Sequence, residues 1–254
     1  LAIFIFILNP SDYEFVPILH GGGFLIAGLI GFWLSLKHID FKTPQIEKSK
    51  ALVKETSSLF VSNFATSLYT SGNTFILGMI GGDAIAGVYS SMEKLVLAVK
   101  NIYVPLYQAI FPWLATKDEG GSKKFIGKIA LPVGISGAII MGGIILLAEP
   151  ILNFVYDDSI IDSYSIVFKI LAGIALFSAL NMLLVSLFYP AIKHYKKRMY
   201  ALVAGGLFNL VAAVIAAKYY SIYGVAIAAV TTELLILVIA YMFFNKPKLA
   251  SEVS

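Results

Sequence analysis

The chain reads as an all-α polytopic membrane protein with about eight transmembrane segments, the first of them truncated. Three observations lead there. Of its 254 residues 59% are hydrophobic, with a mean hydropathy of +0.85. Only 13% are charged, about half the ~25% usual in soluble domains and too few to make a water-facing surface. Apolar runs recur along the whole length, each near the ~20 residues that carry a helix across a ~30 Å hydrocarbon core. They are continuous rather than alternating, which excludes a transmembrane barrel.

The elements follow in order. A stub from Leu1 to Leu8 precedes the polar turn NPSDYE. The chain opens partway through this span without an initiator Met, and reads as a C-terminal portion of a longer protein rather than as a signal peptide. Further spans are expected at about Pro17–Leu36, Ser57–Ile80, Ala84–Leu114, Phe125–Ala148, Ser163–Pro190, Met199–Ala217 and Ile222–Phe244. Residues 37–56 form a hydrophilic linker between two upstream helices (1–36) and a six-helix bundle (57–248), with a tail at 249–254. In that linker Thr43 is a helix N-cap candidate followed by Pro44 at the first helical position. A short interfacial helix to about Glu55 and a solvated linker are both open.

Cations orient the array. Those from Lys37 to Lys54, Lys117 to Lys128 and Lys193 to Arg198, with Lys246 and Lys248, fall on one side, fifteen of nineteen. The other side holds Lys218 with Asp12, Glu14, Asp83, Glu149, Asp157, Asp158 and Asp162. By the positive-inside rule the first side is cytoplasmic, and so is the C-terminus.

Five charges remain within the spans: Glu93, Lys94, Lys100, Lys169 and Glu233. Each costs ~2.5–3.5 kcal/mol at mid-membrane on insertion scales, and such residues usually face a bundle interior and mark pathways. Tyr89, Glu93, Lys100 and Tyr107 are spaced +4, +7 and +7, one stripe of a helix. Pro105 is expected to kink that helix just past Lys100. Blander readings stand beside the functional one. Lys94 can snorkel outward, Glu93 and Lys100 can pair with neighbouring helices, and Glu233 can be protonated and hydrogen-bonded. Asn181 and Asn209 read as interhelical hydrogen-bond partners.

Catalytic signals are weak. There is no cysteine, and His20, His38 and His194 form no ligand-spaced cluster. The stretch SMEK at 91–94 fits a Ser-x-x-Lys pattern without its companion motifs and lies in a span. No catalytic residue, metal or cofactor is expected.

The run from Leu59 to Lys117 resembles the Wzx-type polysaccharide flippases, which share a superfamily with the MATE multidrug exporters. The resemblance is carried by Ser62-Asn63-Phe64, Leu68-Tyr69-Thr70, Ile76-Leu77-Gly78, Gly87-Val88-Tyr89-Ser90, Lys94 and Pro112, and farther on by Asn209, Gly224 and Glu233. It implies two pseudo-symmetric bundles in the bacterial inner membrane. It further implies a transporter, not an enzyme, that flips undecaprenyl-diphosphate-linked oligosaccharides for O-antigen, teichuronic or capsular polymers by alternating access. Polysaccharide polymerase or assembly proteins are implied partners, along with the lipid bilayer, and no nucleic acid. On that reading Lys94, Lys100 and Lys169 supply positive potential to an anionic head group. Glu93, Tyr89 and Tyr107 join them as substrate-binding residues, and Glu233 is the candidate for coupling to H⁺ or Na⁺. The rivals are a MATE-like exporter of small amphiphilic cations, which would favour acids in its cavity, and a membrane polymerase or glycosyltransferase, which needs a sizeable outward site.

Overall fold

Within a bilayer each span must satisfy its own backbone polar groups, and long apolar runs therefore fold as helices. A computed structural model describes residues 15–36, 46–156 and 159–245, and among them there are helices and no strand. The stub and turn at 1–14, the linker residues 37–45 with the Thr43–Pro44 start signal, Asp157 and Asp158, and the tail from 246 lie outside the described residues. The chain divides into two units, 1–52 and 53–254.

The described part of the first unit is α1, Val16–Leu36, together with the start of α2. Helix α1 carries no charged residue, and none of its residues is buried. α2, Ile46–Gly81, takes in the end of the hydrophilic stretch and runs through Glu55 without a break. Ser, Thr and Asn recur through residues 57–81, and this helix, expected to supply a span, is not one of the five that are long and apolar enough to cross a membrane among the described residues.

The second unit continues with α3 (Asp83–Lys100) and α4 (Tyr103–Leu114), which together make one 32-residue span. The turn between them is at Asn101–Ile102. Pro105 explains it: without an N–H it cannot bond the Asn101 carbonyl, which instead accepts from Val104 at 3.1 Å. α5, Glu119–Leu146, begins earlier than the apolar run does. The Asp118 side chain accepts from the Gly121 N–H at 3.3 Å and caps a first turn made of residues expected to be loop. The connection after α5 is also partly helical, as α6 (Ala148–Tyr156) and α7 (Ser159–Ser163).

The next span, Ser165–Ala191, is assembled from α8 (Ser165–Leu171), α9 (Gly173–Asn181), a π-helical stretch Met182–Phe188 and the short α10 (Tyr189–Ala191). It ends with Lys193 in the left-handed region at φ 59°, where His194 N–H reaches the Tyr189 carbonyl at 2.8 Å. The last element, α11, Tyr195–Asn245, is too long for one crossing. Ser221, at φ 50° and ψ −137°, breaks it into two arms, which match the two expected final spans. Beyond that break a Cβ on Gly224 would stand 2.6 Å from the Ala216 carbonyl oxygen, so only glycine lets the second arm approach the first.

The core is split in two. One apolar cluster gathers Leu77, Met92, Val96, Leu152, Phe168 and Ala229. The other gathers Tyr69, Tyr107, Leu114, Leu183, Phe188 and Ile236. On α2, α3–α4 and α11 the buried Asn73 and Glu233 and the partly buried Lys100 fall between positions belonging to the two clusters, and they form a seam.

Gly224→Ala is expected to destabilise the protein by about 1–3 kcal/mol through overpacking against backbone. The melting temperature of purified protein in detergent, compared with that of Gly127→Ala where a Cβ meets open space, checks this.

Candidate functional site

At the seam, Glu233 on the second arm of α11 is only 4% exposed. Three other helices converge on its carboxylate. Lys100 Nζ, at the C-terminus of α3, meets Oε1 at 3.0 Å. Asn181 Nδ2, at the end of α9, donates to Oε2 at 2.6 Å and to the Glu233 carbonyl at 2.8 Å. The Tyr69 hydroxyl on α2 is 3.4 Å from Oε1. Lys100 reaches this point because α3 ends there, at the kink that Pro105 imposes, and the helix C-terminus favours a cation.

A cavity of about 160 Å³ opens beside the pair. Besides Lys100, Glu233, Asn181 and Tyr69 it is lined by Asn63, Thr66, Ser186 and Arg198. Arg198, in the first turn of α11, donates through Nε to the Val185 carbonyl at 3.0 Å and through Nη2 to Asn63 Oδ1 at 2.9 Å. Its Nη1 is buried without a partner, as is Asn181 Oδ1. Val185 and Ser186 belong to the π-helical stretch, a geometry found mostly as local bulges in α-helices and frequently at functional sites. With two cations against one carboxylate, the wall has a formal excess of one positive charge. A larger groove of about 560 Å³, lined by Ile126, Leu183, Leu184, Leu237 and Tyr241 among others, is almost wholly apolar and offers a head group nothing to bond.

The residues singled out in the sequence are distributed unevenly around this site. Lys100 and Glu233 are joined in it. Glu93 and Tyr89 bond each other at 3.3 Å, on the same stripe as Lys100 but outside the cavity lining. Tyr107 is buried, and its hydroxyl donates to the Ala179 carbonyl at 2.9 Å; neither its ring nor that of Tyr89 lines the cavity. Lys94 is exposed, about 100° around α3 from its neighbour Glu93. Lys169 pairs with Glu149 at 3.0 Å, both side chains being partly or largely exposed. Asn209 bonds Thr232 Oγ1 at 3.0 Å across the two arms of α11. From sequence, Arg198 is one of the cations that mark the cytoplasmic side and has no other expected role. The spacing Arg198, Leu202, Gly205, Asn209 places it on the buried face of its helix, a signal hidden by the cluster Lys193, Lys196 and Lys197 beside it.

The family described as "Polysaccharide biosynthesis protein" matches residues 1–117. Two curated relatives, from Shigella dysenteriae and Escherichia coli (strain K12), both carry the name "Putative O-antigen transporter". The first is 29% identical over 246 residues, 93% of this chain and 60% of the relative. The second is 26% identical over 257 residues, 97% of this chain and 60% of the relative. The chain thus spans 60% of the length of the curated relatives it matches. No solved structure matches at a significant level. These matches bear out the resemblance to Wzx-type polysaccharide transporters, and the chain is a multi-pass helical membrane protein similar to the two relatives named as putative O-antigen transporters.

Glu233→Gln, which leaves Lys100 without its counter-charge, is expected to cost about 3 kcal/mol or more of stability. The double variant Lys100→Met/Glu233→Gln should recover most of that loss, because the uncompensated charge is gone. Thermal unfolding of the four proteins of this cycle in detergent measures the coupling directly.

Proposed function

We propose that the protein containing this chain moves lipid-linked oligosaccharides across the bacterial inner membrane by alternating access, with the C-terminus in the cytoplasm. The observation that carries this reading is the polar cavity in which Lys100 and Arg198 stand together among spans otherwise built for lipid. A diphosphate-linked glycan can leave its polyprenyl tail in the bilayer, whereas its anionic head group loses most of its solvation there. A wall with excess positive charge, unfilled N–H donors and nearby hydroxyls and amides compensates such a group. Lys100 is the residue of the expected three lysines that the geometry favours for this contact, with Arg198 as its companion. Lys94 and Lys169 would contribute only long-range potential from their exposed positions.

A clean test separates the role of the charge from the role of the pair. Cells carrying Lys100→Met/Glu233→Gln, whose protein should remain folded, are expected to export at least about tenfold less glycan, from loss of a charge-assisted contact of roughly 1.5–3 kcal/mol. Arg198→Gln should act in the same direction. Lipid-linked glycan facing the periplasm, read with an impermeant probe and divided by total lipid-linked glycan, is the measurement. Complete units accumulating on the cytoplasmic face support the reading. Normal exposure with failed polymerisation would shift it to a polymerase, and normal exposure with new sensitivity to amphiphilic cations to a drug exporter.

A further inference from the structure

Two acids are buried in this bundle, and they are compensated differently. Glu233 has a cation at 3.0 Å and an amide at 2.6 Å. Glu93, 9% exposed, takes part in none of the ion pairs among the described residues. Its partners are neutral and distant: the Tyr89 hydroxyl lies 3.3 Å from Oε1 and Thr74 Oγ1 3.5 Å from Oε2. O–H···O bonds normally span about 2.5–3.0 Å. Asn73 completes the group, donating through Nδ2 to the Tyr89 hydroxyl at 3.3 Å. Asn73 is 1% exposed, and its own Oδ1 is buried without a partner. Tyr89 belongs to the apolar cluster that also holds Ile76, Leu77, Met92 and Val96.

An ionised carboxylate in such surroundings is strongly disfavoured unless a counter-charge joins it, and otherwise it neutralises. We propose that Glu93, with Tyr89, Thr74 and Asn73, forms a monovalent-cation site that takes up a proton or a sodium ion, separate from the cavity at Lys100 and Glu233. One carboxylate balances one positive charge. Among the described residues no group of three or more His, Cys, Asp or Glu exists to hold a multivalent ion. The assignment exchanges the roles expected from sequence: Glu233 already has its cation in Lys100, and Glu93 is the acid left to take one from solution. It goes beyond the transport reading and holds whatever the cargo is.

The other charged and titratable groups on the surrounding helices are few. α3 itself bears Asp83 at its start, Lys94 on its exposed side and Lys100 two turns on, the last engaged by Glu233. The part of α2 at residues 57–81 has no ionised group, and its Tyr69 is bonded to Glu233. α8 carries Lys169, paired with Glu149, and α9 carries no charge. From the connection after α5 Tyr156 donates to the Ser91 carbonyl, and Tyr164 packs on Tyr223 of α11. α11 also contributes Lys218 near the Ser221 break.

The test uses the purified protein in lipid nanodiscs without substrate, so its outcome is independent of the transport assay. Infrared difference spectra of the carboxyl C=O stretch are recorded on changing pH, and on replacing choline by sodium at constant ionic strength. A signal present in the wild type and lost in Glu93→Gln supports the site. Dependence on sodium identifies that ion, and dependence on pH alone identifies the proton. Thr74→Val, which keeps the carboxylate and serves if Glu93→Gln fails to fold, should shift the midpoint roughly threefold in sodium concentration or half a pH unit. A signal that survives Glu93→Gln, or disappears with Glu233→Gln instead, overturns the proposal. So does the absence of any carboxyl signal, or a Thr74→Val midpoint identical to the wild type.

Discussion

The carboxylate of Glu233 sets the mutual register of four helices. Lys100 brings α3 to it, Asn181 brings α9, Tyr69 brings α2, and Glu233 itself belongs to the second arm of α11. In a bilayer this matters more than in water. Lipid tails are as apolar as the helices, so packing, interhelical hydrogen bonds and lipid entropy must drive association in place of the hydrophobic effect. A buried ion pair adds little net stability against an apolar replacement, yet leaving one partner alone is severely unfavourable. The arrangement therefore acts by penalising every packing in which the four groups do not meet. Its place between two apolar clusters lets each cluster pack as hydrocarbon while the seam fixes which faces come together.

The same groups make the wall of the polar cavity, so architecture and chemistry are not separable here. Lys100 has one strong partner in Glu233, and an anion entering the cavity would compete for that ammonium. Any such competition loosens the tie among the four helices, because the lysine cannot serve both acceptors at full strength. Arg198 differs. Its guanidinium is held on two sides by Val185 and Asn63 and retains a buried, unfilled N–H, so it can receive an acceptor without giving up its present contacts. A yielding cation and a fixed one thus stand in the same wall.

Much of the fold was readable because one physical requirement, some twenty apolar residues per crossing, dominates membrane sequences. The ends were less readable. The start of α5 depends on a side-chain cap at Asp118 rather than on hydropathy, and α2 continues through a polar stretch that composition alone describes equally well as a linker. Lys100 and Glu233 stood out as charges in apolar runs, but their pairing joins residues 133 positions apart. Periodicity reports which residues share a face of one helix and is silent about which faces meet. Tyr69 enters the sequence reading only within the motif Leu68-Tyr69-Thr70, and Arg198 is masked by the neighbouring Lys193, Lys196 and Lys197. The stripe through Tyr89, Glu93, Lys100 and Tyr107 spans the turn at Asn101–Ile102, and its members divide among three sets of contacts: Tyr89 and Glu93 with each other, Lys100 with Glu233, and Tyr107 with the Ala179 carbonyl.

Helix α2 meets its neighbours through a ladder of polar contacts, one short, Asn63 to Arg198 at 2.9 Å, and three longer, Tyr69 to Glu233 at 3.4 Å, Asn73 to Tyr89 at 3.3 Å and Thr74 to Glu93 at 3.5 Å. Greasy surfaces can slide past one another in small increments at nearly constant energy. A ladder of directional bonds cannot, since each rung holds only near its own spacing and is lost a few ångströms away. Motion of α2 relative to α3 and α11 would therefore proceed in detents, from one set of rungs to another, like a bolt moving between notches. Such a helix is suited to occupy a small number of discrete positions and to resist those in between.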